Sequence, residues 1–312
     1  MKVAVIGAGV MGPGIAQIFL MGGHEVVITD LMQKAMEDGK ESIYDSLQTM
    51  KQMEIIEKDA REYMSSLEIT TSLEQAVKGA KLVVEVVPER MDIKKPLYDN
   101  LDKLCDEDTI IVSNTSSLPL PEMFPDFRTG KFFVAHFFNP PPIIPLVELV
   151  RNEKTDTEAV EWLKNELELC GKTPIVVNGF VKGFLVNRMQ TAMSREALYL
   201  LDQGIVSADD LDKVSLAAIG FKSAWQGMFD TMDFIGLDTV AFVNNIIFPD
   251  LCNDSVTPKV ITDKVKEGKL GLKTGEGFYK YDHGRGEEVS KKRQTVLLEQ
   301  LKLWNKYKPY GK

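Results

Sequence analysis

The sequence predicts an α/β protein: a doubly wound sheet in the first 180 residues, then an all-helical region. Three observations carry this. Short Val/Ile runs are continuous rather than alternating, as in strands covered on both faces. They alternate with segments of helical period, the pattern of a doubly wound sheet. After residue 178 the strand signals fade and helical periodicity takes over.

The elements follow in chain order. Val3–Ile6 reads as a strand, followed by a glycine turn and a helix whose apolar face holds Ile15, Ala16, Ile18, Phe19 and Leu20. Glu25–Thr29 is a second strand closing on Asp30. Residues 33–66, rich in charge and methionine, read as one or two long helices, an excursion beyond a minimal βαβ unit. Leu82–Val87, Thr109–Val112, Lys131–Phe137, Leu146–Val150 and Pro174–Val177 complete seven strands. The helical periods then fall at about 180–203, 207–219, 227–247 and 258–268, and a glycine-punctuated loop occupies 268–280. The expected domains are therefore 1–180 and 181–312, the break lying near Asn178–Gly183.

Composition bounds the function. With 312 residues, 44 % hydrophobic and 27 % charged, the chain is long and apolar enough for a large core without staples. A net charge of −9 argues against a nucleic-acid or anionic-membrane binder. That charge is uneven: residues 281–312 hold eight basic against four acidic side chains, a net +4 that leaves −13 on the rest. Leu297, Leu298, Leu301 and Trp304 recur there at helical spacing, so the tail reads as a solvated amphipathic helix. Cys105, Cys170 and Cys252 are scattered and odd in number, with no Cys/His ligand spacing. They read as reduced thiols of a cytosolic protein, and no metal is expected. The glycine-broken start is not a signal peptide, and no run of about 18 apolar residues predicts a membrane span.

Gly7-Ala8-Gly9-Val10-Met11-Gly12 spells GxGxxG between a strand and a helix, and Asp30 closes the next strand 18 positions after Gly12. That context is what a dinucleotide fingerprint requires. The first glycine permits the turn, the second lets backbone approach a pyrophosphate, and the third lets helix and strand touch. The helix amino terminus then offers free N–H groups to the phosphates. Asp30 would accept hydrogen bonds from ribose hydroxyls and repel a 2′-phosphate, so the expected cofactor is NAD rather than NADP. His24, in the turn before the second strand, reads as a surface residue.

Of three histidines, His136 alone ends an apolar strand, where α/β sheets place ligands. Glu148 interrupts a second apolar strand, Leu146–Val150, and a buried carboxylate needs a partner. The two are 12 residues apart across a bend containing Pro140–Pro142 and Pro145, so their strands can lie side by side. A glutamate on one imidazole nitrogen fixes the tautomer and raises the basicity of the other, the arrangement of a general base. Ser113-Asn114-Thr115-Ser116-Ser117 is either a helix cap or a hydrogen-bonding rim. Asn187, on an apolar helix turn, is either an interdomain amide or a substrate contact. Glu89, past a strand end, would rim the nicotinamide pocket. Glu85, inside the strand, stays unassigned.

Together these stretches resemble the L-3-hydroxyacyl-CoA dehydrogenases. The similar segments are Gly7–Ala16, Val83–Glu89, Ser113–Leu118, His136–Pro140, Leu146–Glu148, Gly183–Arg188, Ile235–Asp238 and Lys273–Tyr281, in the family's order. The resemblance implies a Rossmann-type NAD-binding domain with a helical excursion and an all-α C-terminal domain that forms a homodimer. It implies a cytoplasmic enzyme of fatty acid metabolism that oxidises a 3-hydroxyl, with no metal, nucleic-acid or membrane partner. Carried over by position, it makes His136 the base and Glu148 its orienting partner. Ser116 and Asn187 become hydrogen-bond donors to substrate, and Asn139 sits nearby. Glu89, Lys94 and Asn114 approach the cofactor. A short-chain 3-hydroxyacyl-CoA is the leading expected substrate. Lys182 replaces the usual proline before Gly-Phe, and the family's Met-Gly-Pro-Phe appears as Gln226-Gly227-Met228-Phe229. The Asn139–Pro145 stretch is more similar to relatives acting without CoA, the lambda-crystallin/L-gulonate 3-dehydrogenase group and a pyridoxine-degradation dehydrogenase. The alternative substrate is accordingly a free hydroxy acid, a sugar acid or a pyridoxine-degradation intermediate.

Overall fold

The structure, a computed structural model, describes residues 1–116, 128–281 and 285–307. Ser117, Leu118, His283 and the basic residues Lys308 and Lys312 lie outside that set. The chain divides into two compact units, Met1–Val186 and Asn187–Lys312.

The first unit is built on an eight-stranded sheet. Its strands are β1 (Lys2–Ile6), β2 (Glu25–Thr29), β3 (Leu67–Thr70), β4 (Leu82–Glu85), β5 (Ile110–Ser113), β6 (Phe132–Phe137), β7 (Leu146–Arg151) and β8 (Thr173–Asn178). They lie in the order β3-β2-β1-β4-β5-β6-β7-β8. Every neighbouring pair is parallel except β6 with β7. The chain runs outward from β1 to β3 and then returns to β4 on the other side. This reversal opens a crevice at the carboxyl ends of β1 and β4, where such sheets bind ligands. Val3, Ala4, Val5, Leu82, Val83, Val84, Phe133 and Val134 are fully shielded from solvent, which explains why the strands read as unbroken apolar runs.

β3 corrects the sequence reading, which contains seven strands. Only Leu67 of its four residues is buried, and it pairs on one side alone, with β2. A half-exposed edge strand of four residues has too short a hydrophobic run to stand out. The excursion forms α2 (Gln33–Gln52) and α3 (Ala60–Met64), after α1 (Gly12–Met21). Met36, Ile43, Leu47 and Met50 form one buried stripe on α2, while Asp59 and Glu62 open α3 with a capping box. Among the described residues the unit also contains α4 (Leu73–Val77), α5 (Met91–Leu104) and α6 (Thr157–Leu169).

The second unit is helical among the described residues: α7 (Val186–Asp202), α8 (Ala208–Val214), α9 (Met228–Ile235), α10 (Leu237–Ile247), α11 (Lys259–Lys266) and α12 (Arg285–Tyr307). The helix expected over 227–247 is broken at Gly236, whose φ of +100° belongs to glycine. α12 is the expected amphipathic tail, with Leu298 and Leu301 buried. By compactness Val181–Val186 stays with the first unit. Phe184 is fully buried there, and the Leu185 and Val186 amides hydrogen-bond to β7. No described helix is long and apolar enough by itself to cross a membrane.

Candidate active site

At the end of β1 the chain turns through Gly7, Ala8, Gly9, Val10 and Met11 into α1. Gly7 has φ +112°, and a Cβ there would stand 2.8 Å from the Val86 carbonyl oxygen. A Cβ on Gly12 would stand 1.9 Å from the Gly7 carbonyl oxygen. Both positions therefore exclude any side chain. Gly9 meets nothing within 4 Å, so open space lies where a pyrophosphate would face the loop. Val10 is exposed, and Met11 is the N-cap of α1. Asp30 accepts from the Ala8 amide (2.8 Å, Oδ2) and the Met32 amide (3.0 Å, Oδ1). These bonds pin its carboxylate beside the loop with lone pairs to spare for ribose hydroxyls. The residues fit an adenine dinucleotide without a 2′-phosphate.

His136 and Glu148 face each other directly across the antiparallel β6–β7 ladder. Nδ1 of the imidazole lies 2.8 Å from Glu148 Oε2, with His136 5 % and Glu148 0 % exposed. The other carboxylate oxygen accepts from the Leu185 and Val186 amides, each at 2.9 Å. Burial pushes the Glu148 carboxyl up, but the imidazole and the two amides outweigh it and hold it below the ordinary range. Phe138 and Phe184 flank the ring at 4.5 and 5.4 Å between centroids. The carboxylate thus holds Nδ1 and leaves Nε2 unengaged by it.

A second buried carboxylate, Glu85, ends β4. Both of its oxygens accept from Lys94 Nζ (2.7 and 2.9 Å), and it also takes Tyr98 Oη (2.7 Å), Ser113 Oγ (2.6 Å) and the Val87 amide (2.8 Å). Lys94 is 1 % exposed and held by Glu85. It reaches the site through Glu89, 3.5 Å away. Glu89 accepts from Thr115 Oγ1 (2.5 Å) and the Ser116 amide (2.9 Å), so the network ends at the loop that carries Ser116. Asn114 ties the same loop to β6 by accepting the Phe137 amide at 2.8 Å.

Asn139 follows β6 on the exposed side of a cis peptide bond to Pro140. Asn187 is the first residue of the second unit, one position beyond the Val186 amide that holds Glu148. The sequence reading missed Tyr98 and the amides of residues 185 and 186. It left Glu85 unassigned, although a lone glutamate in an apolar strand was the same signal that exposed Glu148. Among the described residues no cluster of three or more His, Cys, Asp or Glu suits a metal ion.

Comparison with known proteins identifies the family. Residues 2–180 match the 3-hydroxyacyl-CoA dehydrogenase NAD binding domain, and residues 183–281 match the C-terminal domain of the same enzymes. The chain is 33 % identical over 303 residues to 5-formyl-3-hydroxy-2-methylpyridine 4-carboxylate 5-dehydrogenase of Mesorhizobium japonicum, covering 95 % of this chain and 96 % of that one. It is 35 % identical over 288 residues to the mitochondrial hydroxyacyl-coenzyme A dehydrogenase of Sus scrofa, covering 89 % and 90 %. A solved structure of the pyridine-carboxylic acid dehydrogenase, described as an NAD+ dependent dismutase, superposes with a TM-score of 0.90 at 30 % identity, covering 100 % and 99 % of the two chains. (S)-3-hydroxybutyryl-CoA dehydrogenase from Ralstonia eutropha superposes with a TM-score of 0.72 at 30 % identity, covering 90 % and 99 %. The chain is an NAD-dependent oxidoreductase and belongs to the 3-hydroxyacyl-CoA dehydrogenase family.

Proposed function

We propose that this protein is an NAD-dependent dehydrogenase of a small free carboxylate bearing a hydroxyl or aldehyde group, with His136 as its general base. The observation that carries the substrate reading is whole-chain similarity. The pyridine-carboxylic acid enzyme covers all of this chain at a TM-score of 0.90, whereas a CoA enzyme covers 90 % of it at 0.72. Charge points the same way. A CoA tail favours a basic lip, yet Lys34 at the start of α2 is paired with Asp38 at 3.1 Å, and Glu37 and Glu41 flank it. The second reading, a short-chain 3-hydroxyacyl-CoA, is favoured by the identity to the mitochondrial enzymes.

When bound, the nicotinamide supplies the hydride acceptor or donor. Gly7, Gly9, Val10, Met11 and Gly12 cradle its phosphates, and Asp30 selects the unphosphorylated ribose. His136 Nε2 would remove the proton of the substrate hydroxyl, or of an aldehyde's hydrate formed by addition of water, as hydride leaves the carbon that bears it, and would return a proton in the reverse direction. Glu148 stabilises the resulting imidazolium across the 2.8 Å bond. Ser116 and Asn187 donate hydrogen bonds to the substrate oxygen, Asn139 borders it, and Asn114 and Glu89 hold the rim.

The deciding assay gives purified protein NADH with acetoacetyl-CoA, then NAD with a panel of small hydroxy- and formyl-carboxylates. Turnover of the free acids alone is the expected result. Turnover of the CoA ester alone would establish the second reading instead.

A homodimer formed through the helical unit accompanies this reading. Phe221, Phe229, Phe234, Phe242 and Phe248 are all more than 60 % exposed, an apolar surface of the kind that marks an interface. Light scattering coupled to size exclusion should give twice the 35.0 kDa chain mass; a monomer would refute it. The three free thiols fit a reducing compartment such as the cytoplasm.

A further inference from the structure

The bend between β6 and β7 is chemically unusual. It joins the two strands that carry His136 and Glu148, and Pro140, Pro141, Pro142 and Pro145 supply four of its six residues from 140 to 145. Proline has no N–H, so the segment has many carbonyl acceptors and few donors of its own. Ile143 and Ile144 give their amides to the Pro140 carbonyl, and the Thr173 amide bonds to Pro145. The carbonyls of Pro141 and Ile144 are satisfied by one side chain, Lys172, at 2.5 and 3.0 Å.

Lys172 stands one residue before β8, and only 8 % of it is exposed. Among the described residues no carboxylate lies within salt-bridge distance of its ammonium. Burial pulls its pKa down to about 7, with the neighbouring Cys170 opposing. A buried cation without a counter-charge is costly, so its retention calls for a reason beyond filling space.

The other side of the bend supplies that reason. A Cβ built on Gly14, in the first turn of α1, would stand 2.9 Å from Pro141 and 3.1 Å from Pro142. The bend therefore presses directly on the helix whose amino terminus faces the dinucleotide, with no room for a methyl group. It touches the cofactor helix on one side and continues into the His136 and Glu148 strands on the other.

We propose that Lys172 is a positioning residue for hydride transfer. Its ammonium staples the Pro140–Pro145 bend and so sets the spacing between the cofactor helix and the His136–Glu148 pair. The inference rests on the dehydrogenase reading above, and it extends that reading to a residue that touches neither substrate nor cofactor.

The test compares the wild type with Lys172→Met, which keeps the length and removes the donors, and with Lys172→Gln, which keeps one donor. Misplacing reacting groups by about 1 Å costs on the order of 100-fold in rate. Lys172→Met should accordingly lose about 10- to 100-fold in kcat, with Lys172→Gln between it and wild type. Substrate KM and the NADH dissociation constant should stay within about twofold, a split that general loss of folding would not give. Gly14→Ala, pushing the bend from the helix side, should also lower kcat. A second measurement is independent of turnover. NADH binding should slow hydrogen exchange at the Ile143 and Ile144 amides in wild type, and Lys172→Met should abolish that protection. A folded Lys172→Met with wild-type kcat, or with NADH protection of both amides intact, overturns the proposal. A wild type inactive on every substrate would overturn the dehydrogenase reading alone, and the exchange experiment would still decide the role of Lys172.

Discussion

Two glutamates on one sheet, Glu85 and Glu148, are both fully buried and both interrupt apolar strands, yet their surroundings are opposite in kind. Glu85 is enclosed by a lysine, a tyrosine, a serine and an amide, and every contact is internal. Tyr98 beside it is driven far above the usual phenol range by burial and by the carboxylate. Glu148 is held by two amides and by an imidazole, a group that can give or take a proton. The lesson concerns partners. A buried carboxylate matched to a permanent cation fixes a loop, and one matched to histidine can serve acid–base chemistry.

The sharpest way to break this contrast is His136→Gln. General acid–base groups typically contribute about 10²- to 10⁴-fold, so kcat should fall by that amount while the NADH dissociation constant changes little. Steady-state kinetics with fluorescence titration of NADH measures both, and near wild-type turnover would end the base assignment. On the other side, Lys94→Met leaves Glu85 buried without its cation. The expected loss is about 3–5 kcal/mol of stability, read from urea midpoints, because the network is structural. Combining it with Glu85→Leu should recover part of the loss, since an apolar pair of similar volume avoids the unpaired charge. If Lys94→Met instead left stability untouched and abolished NADH binding, Lys94 would be a cofactor ligand after all.

A smaller effect separates the glutamates by pH. The Glu148 carboxyl sits below its ordinary 4.5 in the folded chain. Its contribution is therefore present above about 4.5 and lost as pH falls through the lower folded value. Wild type should lose stability relative to Glu148→Gln on acidification through that window, as thermal melts would show; parallel curves would contradict the shift. The mildest change is in cofactor choice. Asp30→Ser removes the charge that repels a 2′-phosphate and should raise kcat/KM with NADP relative to NAD by about one order of magnitude, in keeping with the 1–3 kcal/mol of a hydrogen bond to a charged group.

The cofactor half of the site was legible because its constraints are steric and local. Gly7 and Gly12 must be glycine, and Asp30 must end the neighbouring strand, whatever the remaining sequence. The His136–Glu148 pair was legible because each polar residue stood out in an apolar strand. The Lys94–Glu85 pair was not legible, because the two residues are nine positions apart and only the fold brings them together. The docking of Val181–Val186 on the first unit was not legible, because it rests on Phe184 and two backbone amides that meet β6 and β7, and backbone donors leave no trace in side-chain pattern. β3 escaped because a short edge strand buries too little to show a period. Lys172 was invisible because its acceptors are carbonyls, which every residue has.

The single antiparallel step in the sheet has a further consequence, one of parity. Successive side chains of a strand point to opposite faces, so a slip of one residue between β6 and β7 would set Val147 or Leu149 opposite His136 and turn the carboxylate to the other face. A slip of two would restore the facing side but displace the carboxylate by about 7 Å, two strand residues. The register of β6 on β7 is therefore constrained as strictly as the chemistry of His136 and Glu148. A one-residue insertion in β7 ahead of Glu148 should silence the enzyme while leaving the dinucleotide loop unchanged.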